Sequence, residues 1–315
     1  MLNRRHLRIK VLQALYAYFQ ANEDDYSKAE KELFHSVERI YELYIYMLLS
    51  FTELKSIAEY RIEENKKKIR PQEEDLNPNV KFINNEVIKS LEECVELRSQ
   101  SETLKVNWIG DEKQEMFRKI LLNIRESETF FEFMNNEESG YEEDRSFLIA
   151  LFKSEIANSS ILYTFFEDES IHWMDDIDLA CSMVIKTLKS LQKDEMNQIL
   201  PLYKDESDEK EFIKLLFRKT IMLEEESEKL VDELTANWEL DRIAKMDIIL
   251  MEMAIAEFQV CSNIPTKVTL NEYIEISKFY STPKSNGFIN GILDKAIARL
   301  TKEEKINKVG RGLKN

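Results

Sequence analysis

Residues 27–70 read SKAEKELFHSVERIYELYIYMLLSFTELKSIAEYRIEENKKKIR, and their spacing decides the fold class. Leu33, Val37, Ile40, Tyr44, Met47, Phe51, Leu54 and Ala58 recur at alternating steps of four and three, the seam of an antiparallel bundle or a coiled coil. Ser27 and Glu30 form a capping box, in which a hydroxyl and a carboxylate each satisfy a backbone N–H at a helix start. Unbroken to Ile69, such a helix runs about 60 Å at roughly 1.5 Å per residue. Lys66, Lys67, Lys68 and Arg70 close it, as cations do at the negative end of a helix dipole, and Pro71 and Asn77-Pro78-Asn79 mark a loop.

Upstream of this stretch, Arg4 to about Gln20 reads as a first helix. Leu7, Val11, Ala14, Leu15 and Tyr18 make one apolar stripe, and Arg5, Ile9, Leu12 and Tyr16 a second that points largely away from it. A helix apolar on two sides is sandwiched in its own fold or meets a partner. Downstream, helices are expected at 84–105, 111–135, 144–167 and 174–199. Trp108, Trp173 and Trp238 lie 65 residues apart, each followed three positions later by Asp111, Asp176 or Asp241. The spacing suggests a repeated unit in which Asp caps the helix after each Trp turn.

The wider composition agrees with an all-α protein. Of 315 residues, 33% are charged and 43% hydrophobic, which is enough for one large domain or two smaller ones. Of the six glycines, only Gly110 and Gly140 precede position 287, too few for a many-stranded sandwich or a glycine-cradled phosphate site. Cys94, Cys181 and Cys261 allow neither a disulfide framework nor a metal knuckle. The acids of Met174-Asp175-Asp176-Ile177-Asp178 are those expected at a helix start, and His6, His35 and His172 are scattered, so nothing argues for an enzyme. No apolar run is long enough to span a membrane, and the expected location is the cytoplasm.

The net charge of −16 is unevenly placed. Residues 1–20 carry +4 and 241–315 carry +3, leaving −23 for 21–240. An anion can still bind where the two positive ends meet, because charge acts over roughly 8 Å at physiological salt.

The segment from Arg4 through Arg5, His6, Leu7 and Arg8 to Leu12-Gln13-Ala14-Leu15-Tyr16 resembles the opening helix of the NusB family. Three C-terminal stretches follow that family in order and spacing: Leu240 to Asp247, Ile264 to Glu272, and Ser285-Asn286-Gly287-Phe288-Ile289-Asn290-Gly291 onward to Lys295. In the second, Thr269 and Glu272 read as another capping box. In the third, Gly287 and Gly291 each cost a helix about 1 kcal/mol relative to Ala, which suggests that a neighbouring backbone or a ligand comes close.

The resemblance covers about residues 1–60 and 206–300. It implies a NusB-like helical bundle enlarged by an acidic helical insertion at 61–205 and followed by a basic tail at 301–315. It also implies transcription antitermination without chemistry or cofactor: binding of single-stranded boxA-type ribosomal RNA leader together with the ribosomal protein NusE, in an RNA polymerase complex. Carried over by position, Arg4, Arg5, Arg8, Phe288 and Asn290 are the expected RNA contacts, and Tyr16, Lys284 and Ser285 face NusE. Lys284 stands where many members carry an acid, and His6 where some carry a third arginine. A homodimer stays open. The rival reading is a protein-interaction scaffold of the same fold that does not read RNA.

Overall fold

The structure is a computed structural model that describes residues 1–21, 25–235 and 243–313. In chain order its helices are α1 (Arg4–Ala21), α2 (Tyr26–Lys66), α3 (Glu73–Leu76), α4 (Glu86–Glu93), α5 (Val95–Leu104), α6 (Asp111–Glu126), α7 (Glu128–Asn135), α8 (Tyr141–Leu151), α9 (Ser160–Glu169), α10 (Ile177–Ser190), α11 (Glu206–Met222), α12 (Glu224–Leu234), α13 (Lys245–Val260), α14 (Thr266–Tyr280) and α15 (Ser285–Lys302). Phe152–Ile156 forms a π-helical turn, and Ile171–Trp173 and Gly310–Leu313 form 3-10 turns. Among the described residues there is no strand, as the all-α reading requires. None of their helices is long and apolar enough to cross a membrane.

The seam of residues 33–58 does form one 41-residue helix, but its start is not the expected one. Asp25 caps α2, accepting from the Lys28 N–H at 3.0 Å, so Ser27 already lies in the first turn. The carboxylate of Glu30 instead takes both arms of Arg218, at 2.5 and 2.9 Å, and the Tyr26 hydroxyl at 3.1 Å. The four long helices expected between 84 and 199 are interrupted. Cys94 and Ser127 take extended backbone and end α4 and α6, and the π turn separates α8 from α9.

The chain forms two compact units, Glu38–Leu202 with Met1, and Leu2–Val37 with Tyr203–Asn315. The dividing line between the units falls inside α2, between Val37 and Glu38. In the first unit the seam residues Tyr44, Met47, Phe51 and Leu54 are buried, Tyr44 bonding Thr187 and Leu200, Met47 meeting Cys181 and Phe51 packing on Phe152. Trp108 Nε1 donates to the Tyr46 carbonyl at 3.0 Å and Trp173 Nε1 to the Arg39 carbonyl at 2.7 Å, two turns apart on α2. Both indoles also pack edge-on against the Tyr46 ring, at 4.8 and 5.6 Å. The two Trp positions thus serve the same helix in the same way. Their aspartates do not act as expected: Gly110, at φ +124°, occupies the cap position before Asp111, and Asp176 stands at its cap position without a side-chain bond to the helix. Trp238 and Asp241 lie outside the described residues.

In the second unit α13 is the central element, packing against α1, α11, α12, α14 and α15. Every residue from Ile249 to Phe258 is buried, including Glu252 and Glu257. A helix buried on all sides needs neighbours on all sides. The five helices around it supply them, and Leu7, Val11, Leu12 and Leu15 of α1 join the same core.

Candidate nucleic-acid interface

The first turns of α1 and α14 and the loop Cys261–Pro265 enclose a groove of about 650 Å³. Arg4, Arg5 and Arg8 line one side, and Ile264, Pro265 and Val268 the other. Cations are unfavourable at a helix N-terminus, and α1 offsets this locally. The Asn3 side chain accepts the His6 N–H at 3.0 Å, and His6 Nδ1 accepts the Asn3 N–H at 3.3 Å, a reciprocal cap that satisfies two free donors.

Each arginine has a carboxylate, at a different depth. Arg8 is 1% exposed and grips Glu257, itself fully buried, through Nε at 2.8 Å and Nη2 at 2.5 Å. Glu257 also accepts the hydroxyls of Thr269 at 2.8 Å and Tyr273 at 3.0 Å, so all its lone pairs on the inner side are used. Burial disfavours the Arg8 cation, but the bidentate bond to Glu257 outweighs it and leaves the guanidinium more basic than usual. Arg5 is 39% exposed and holds Glu272 at 2.8 and 2.9 Å, a bond that keeps the Glu272 carboxyl below its ordinary range. Arg4 pairs with Asp208 and lies 4.1 Å over the Phe212 ring.

These contacts correct two expectations. Thr269 and Glu272 do not form a capping box, because Pro265 turns the chain and starts α14 at Thr266, leaving both side chains to face Glu257 and Arg5. Arg8 borders the groove but is 1% exposed with its guanidinium on Glu257, so Arg4 and Arg5 present the accessible charge there. Glu257 is one of two acids, with Glu252, in the otherwise apolar run Ile248 to Phe258, so the sequence alone did not say which of them meets a buried cation.

The remaining expected residues do not line the groove. Lys284 is exposed at the cap position of α15, Phe288 and Asn290 are half-buried within its first two turns, and Ser285 is 7% exposed with its hydroxyl on Thr282 Oγ1 at 2.8 Å. Ser285 thus bonds within the turn that starts the helix. Tyr16, on α1, is 37% exposed and accepts the Gln20 amide at 3.0 Å. Gly287 and Gly291 have no protein atom within 4 Å of where a β-carbon would stand, so no neighbouring backbone of the described chain explains them.

A family model described as the NusB family matches residues 178–298. The transcription antitermination protein NusB of Salinibacter ruber is 40% identical over 114 residues, 36% of this chain and 71% of that protein. The protein of the same name from Chloroherpeton thalassium is 40% identical over 104 residues, 33% of this chain and 49% of its own. That from Natranaerobius thermophilus is 34% identical over 92 residues, 29% of this chain and 66% of its own. No solved structure matches the chain.

Proposed function

The chain belongs to the NusB family, and from that premise we propose that it acts in transcription antitermination by binding single-stranded boxA-type RNA together with NusE. The observation that carries this reading is the groove, with arginines on one wall and an apolar loop on the other. Cations position a phosphate backbone, while apolar and aromatic surfaces hold unpaired bases. Arg4 and Arg5 exchange Asp208 and Glu272 for phosphate, and Ile264, Pro265 and Val268 receive a base. Arg8 serves indirectly, fixing α1 to α13 and α14 so that Arg4 and Arg5 stand at the rim.

Phe288 and Asn290 form a second RNA contact on α15, where Gly287 and Gly291 leave room for close approach. Tyr16 and Lys284 face NusE, and the complex joins RNA polymerase without a cofactor. The acidic segment of residues 61–205 is a protein-contact module. One observation favours a second reading, a scaffold that does not read RNA: every arginine of the groove already has a carboxylate.

Fluorescence anisotropy of labelled boxA-type RNA across a salt series, with and without NusE, separates the two. An RNA-binding protein tightens with NusE and loses affinity with salt at a slope near 0.7 per neutralised phosphate. Arg4→Gln with Arg5→Gln lowers both affinity and slope. A folded sample without RNA affinity in either condition leaves the scaffold.

A further inference from the structure

The segment after α15 does not trail away from the second unit. Lys305 bridges Glu226 at 2.6 Å and Glu303 at 3.2 Å, which starts the segment along α12. Lys308 then places its ammonium on the Cys261 carbonyl at 2.8 Å, and the Val309 N–H donates to the Ser262 carbonyl at 3.1 Å. The closing 3-10 turn brings Gly312 against the same loop. A β-carbon there would lie 2.0 Å from the Ser262 carbonyl oxygen and 3.1 Å from its carbon, so only glycine fits.

Those two carbonyls belong to the loop that forms the apolar wall of the groove. The Cys261 carbonyl accepts the Ile264 N–H at 3.1 Å as well as Lys308, so one atom joins the tail to the turn that presents Ile264 and Pro265. Backbone bonds of this kind fix where a loop stands without adding a group to its surface. The ammonium of Lys308 is half-buried and turned inward, which lowers its basicity.

We propose that the C-terminal segment Lys305–Leu313 is a positioning strap for the apolar wall, setting how well the groove holds a base rather than how strongly it attracts phosphate. The proposal rests on the RNA-binding reading and deepens it. A strap of this kind makes the residues after α15 part of RNA recognition although none of them lines the groove.

Two charge-neutral variants of the full chain test it. Gly312→Ala drives a methyl into the Ser262 carbonyl, and Val309→Pro removes the N–H that bonds to it. Val309 is 53% exposed, so the core is not altered by its change. Two labelled probes are compared by anisotropy: a boxA-type RNA and an abasic chain of the same length and charge. Each variant is expected to lose roughly tenfold affinity for the RNA, within the share a held base contributes. It should keep its affinity for the abasic chain, keep the salt slope, and exchange amide hydrogens faster at Asn263–Val268. Unchanged RNA affinity, or equal losses on both probes, overturns the strap while the RNA reading stands. A wild-type protein that binds neither probe overturns the RNA reading and the strap with it.

Discussion

Arg5 and Arg8 are three residues apart and do opposite work. Breaking a buried pair by removing one partner costs about 3–5 kcal/mol, whereas an exposed pair contributes about 1 kcal/mol or less. Arg8→Met is therefore expected to lower the urea midpoint sharply, leaving Glu257 buried without its cation, while Arg5→Gln hardly moves it. Equal midpoints for the two variants would contradict the depth difference seen here. Glu252 is the second residue-scale case. It is 4% exposed, has no hydrogen bond or ion pair among the described residues, and faces Glu224 and Glu228 with only Lys245 opposing. Burial pushes its carboxyl from 4.5 up to about 8.

The sign of that shift sets a pH window. Below 4.5 both folded and unfolded chains hold the proton, and Glu252 contributes no difference. Between 4.5 and 8 the unfolded chain ionises first, so stability falls as pH rises. Glu252→Gln is expected to stabilise the protein by up to about 3 kcal/mol at pH 7 and by nothing at pH 4, read from urea denaturation at both. Glu272 runs the other way: its Arg5 bond lowers its titration, so its contribution is present at neutral pH and is lost on acidification.

At the scale of elements, helix existence was legible and helix starts were not. Both motifs of the form Ser/Thr-x-x-Glu were misplaced for one reason. Asp25 and Pro265 begin α2 and α14 two and four residues earlier, and Glu30 and Glu272 are drawn to Arg218 and Arg5. A bidentate bond to a guanidinium outweighs a local bond to one N–H, and no local pattern contains the distant arginine. The glycines of α15 carry an expectation of their own. With no atom near either absent β-carbon, Gly291→Ala is expected to raise stability by about 1 kcal/mol. If this face serves RNA or NusE, the same change weakens the complex, and a thermal melt with a binding titration reads both.

At the scale of the whole molecule, the bundle class followed from the seam in residues 33–58, but the line between units did not. Periodicity runs through α2 without a break because it reports that one face is buried, not what buries it. The contacts of Trp108, Trp173, Thr187 and Leu200 assign the helix beyond Val37 to the acidic middle of the chain. A chain lacking residues 70–200 should therefore expose Leu43, Tyr44, Met47, Leu48, Phe51 and Leu54, and bind a hydrophobic dye or aggregate in size-exclusion runs. A chain lacking 38–202 should not, because the core around α13 draws on Leu2–Val37 and Tyr203 onward.

The sequence by itself determined the all-helical class, the long second helix, the family and the arginine-rich start, since each rests on local periodicity or on ordered motifs. Only the tertiary structure decided which arginine faces outward, where the helices begin, where α2 changes units, and that the tail meets the groove's loop. Burial and pairing depend on residues far apart in the chain, 249 positions for Arg8 and Glu257 and 267 for Arg5 and Glu272. No local pattern encodes such partners, because the free energy of a buried charge is set by what the fold brings to it.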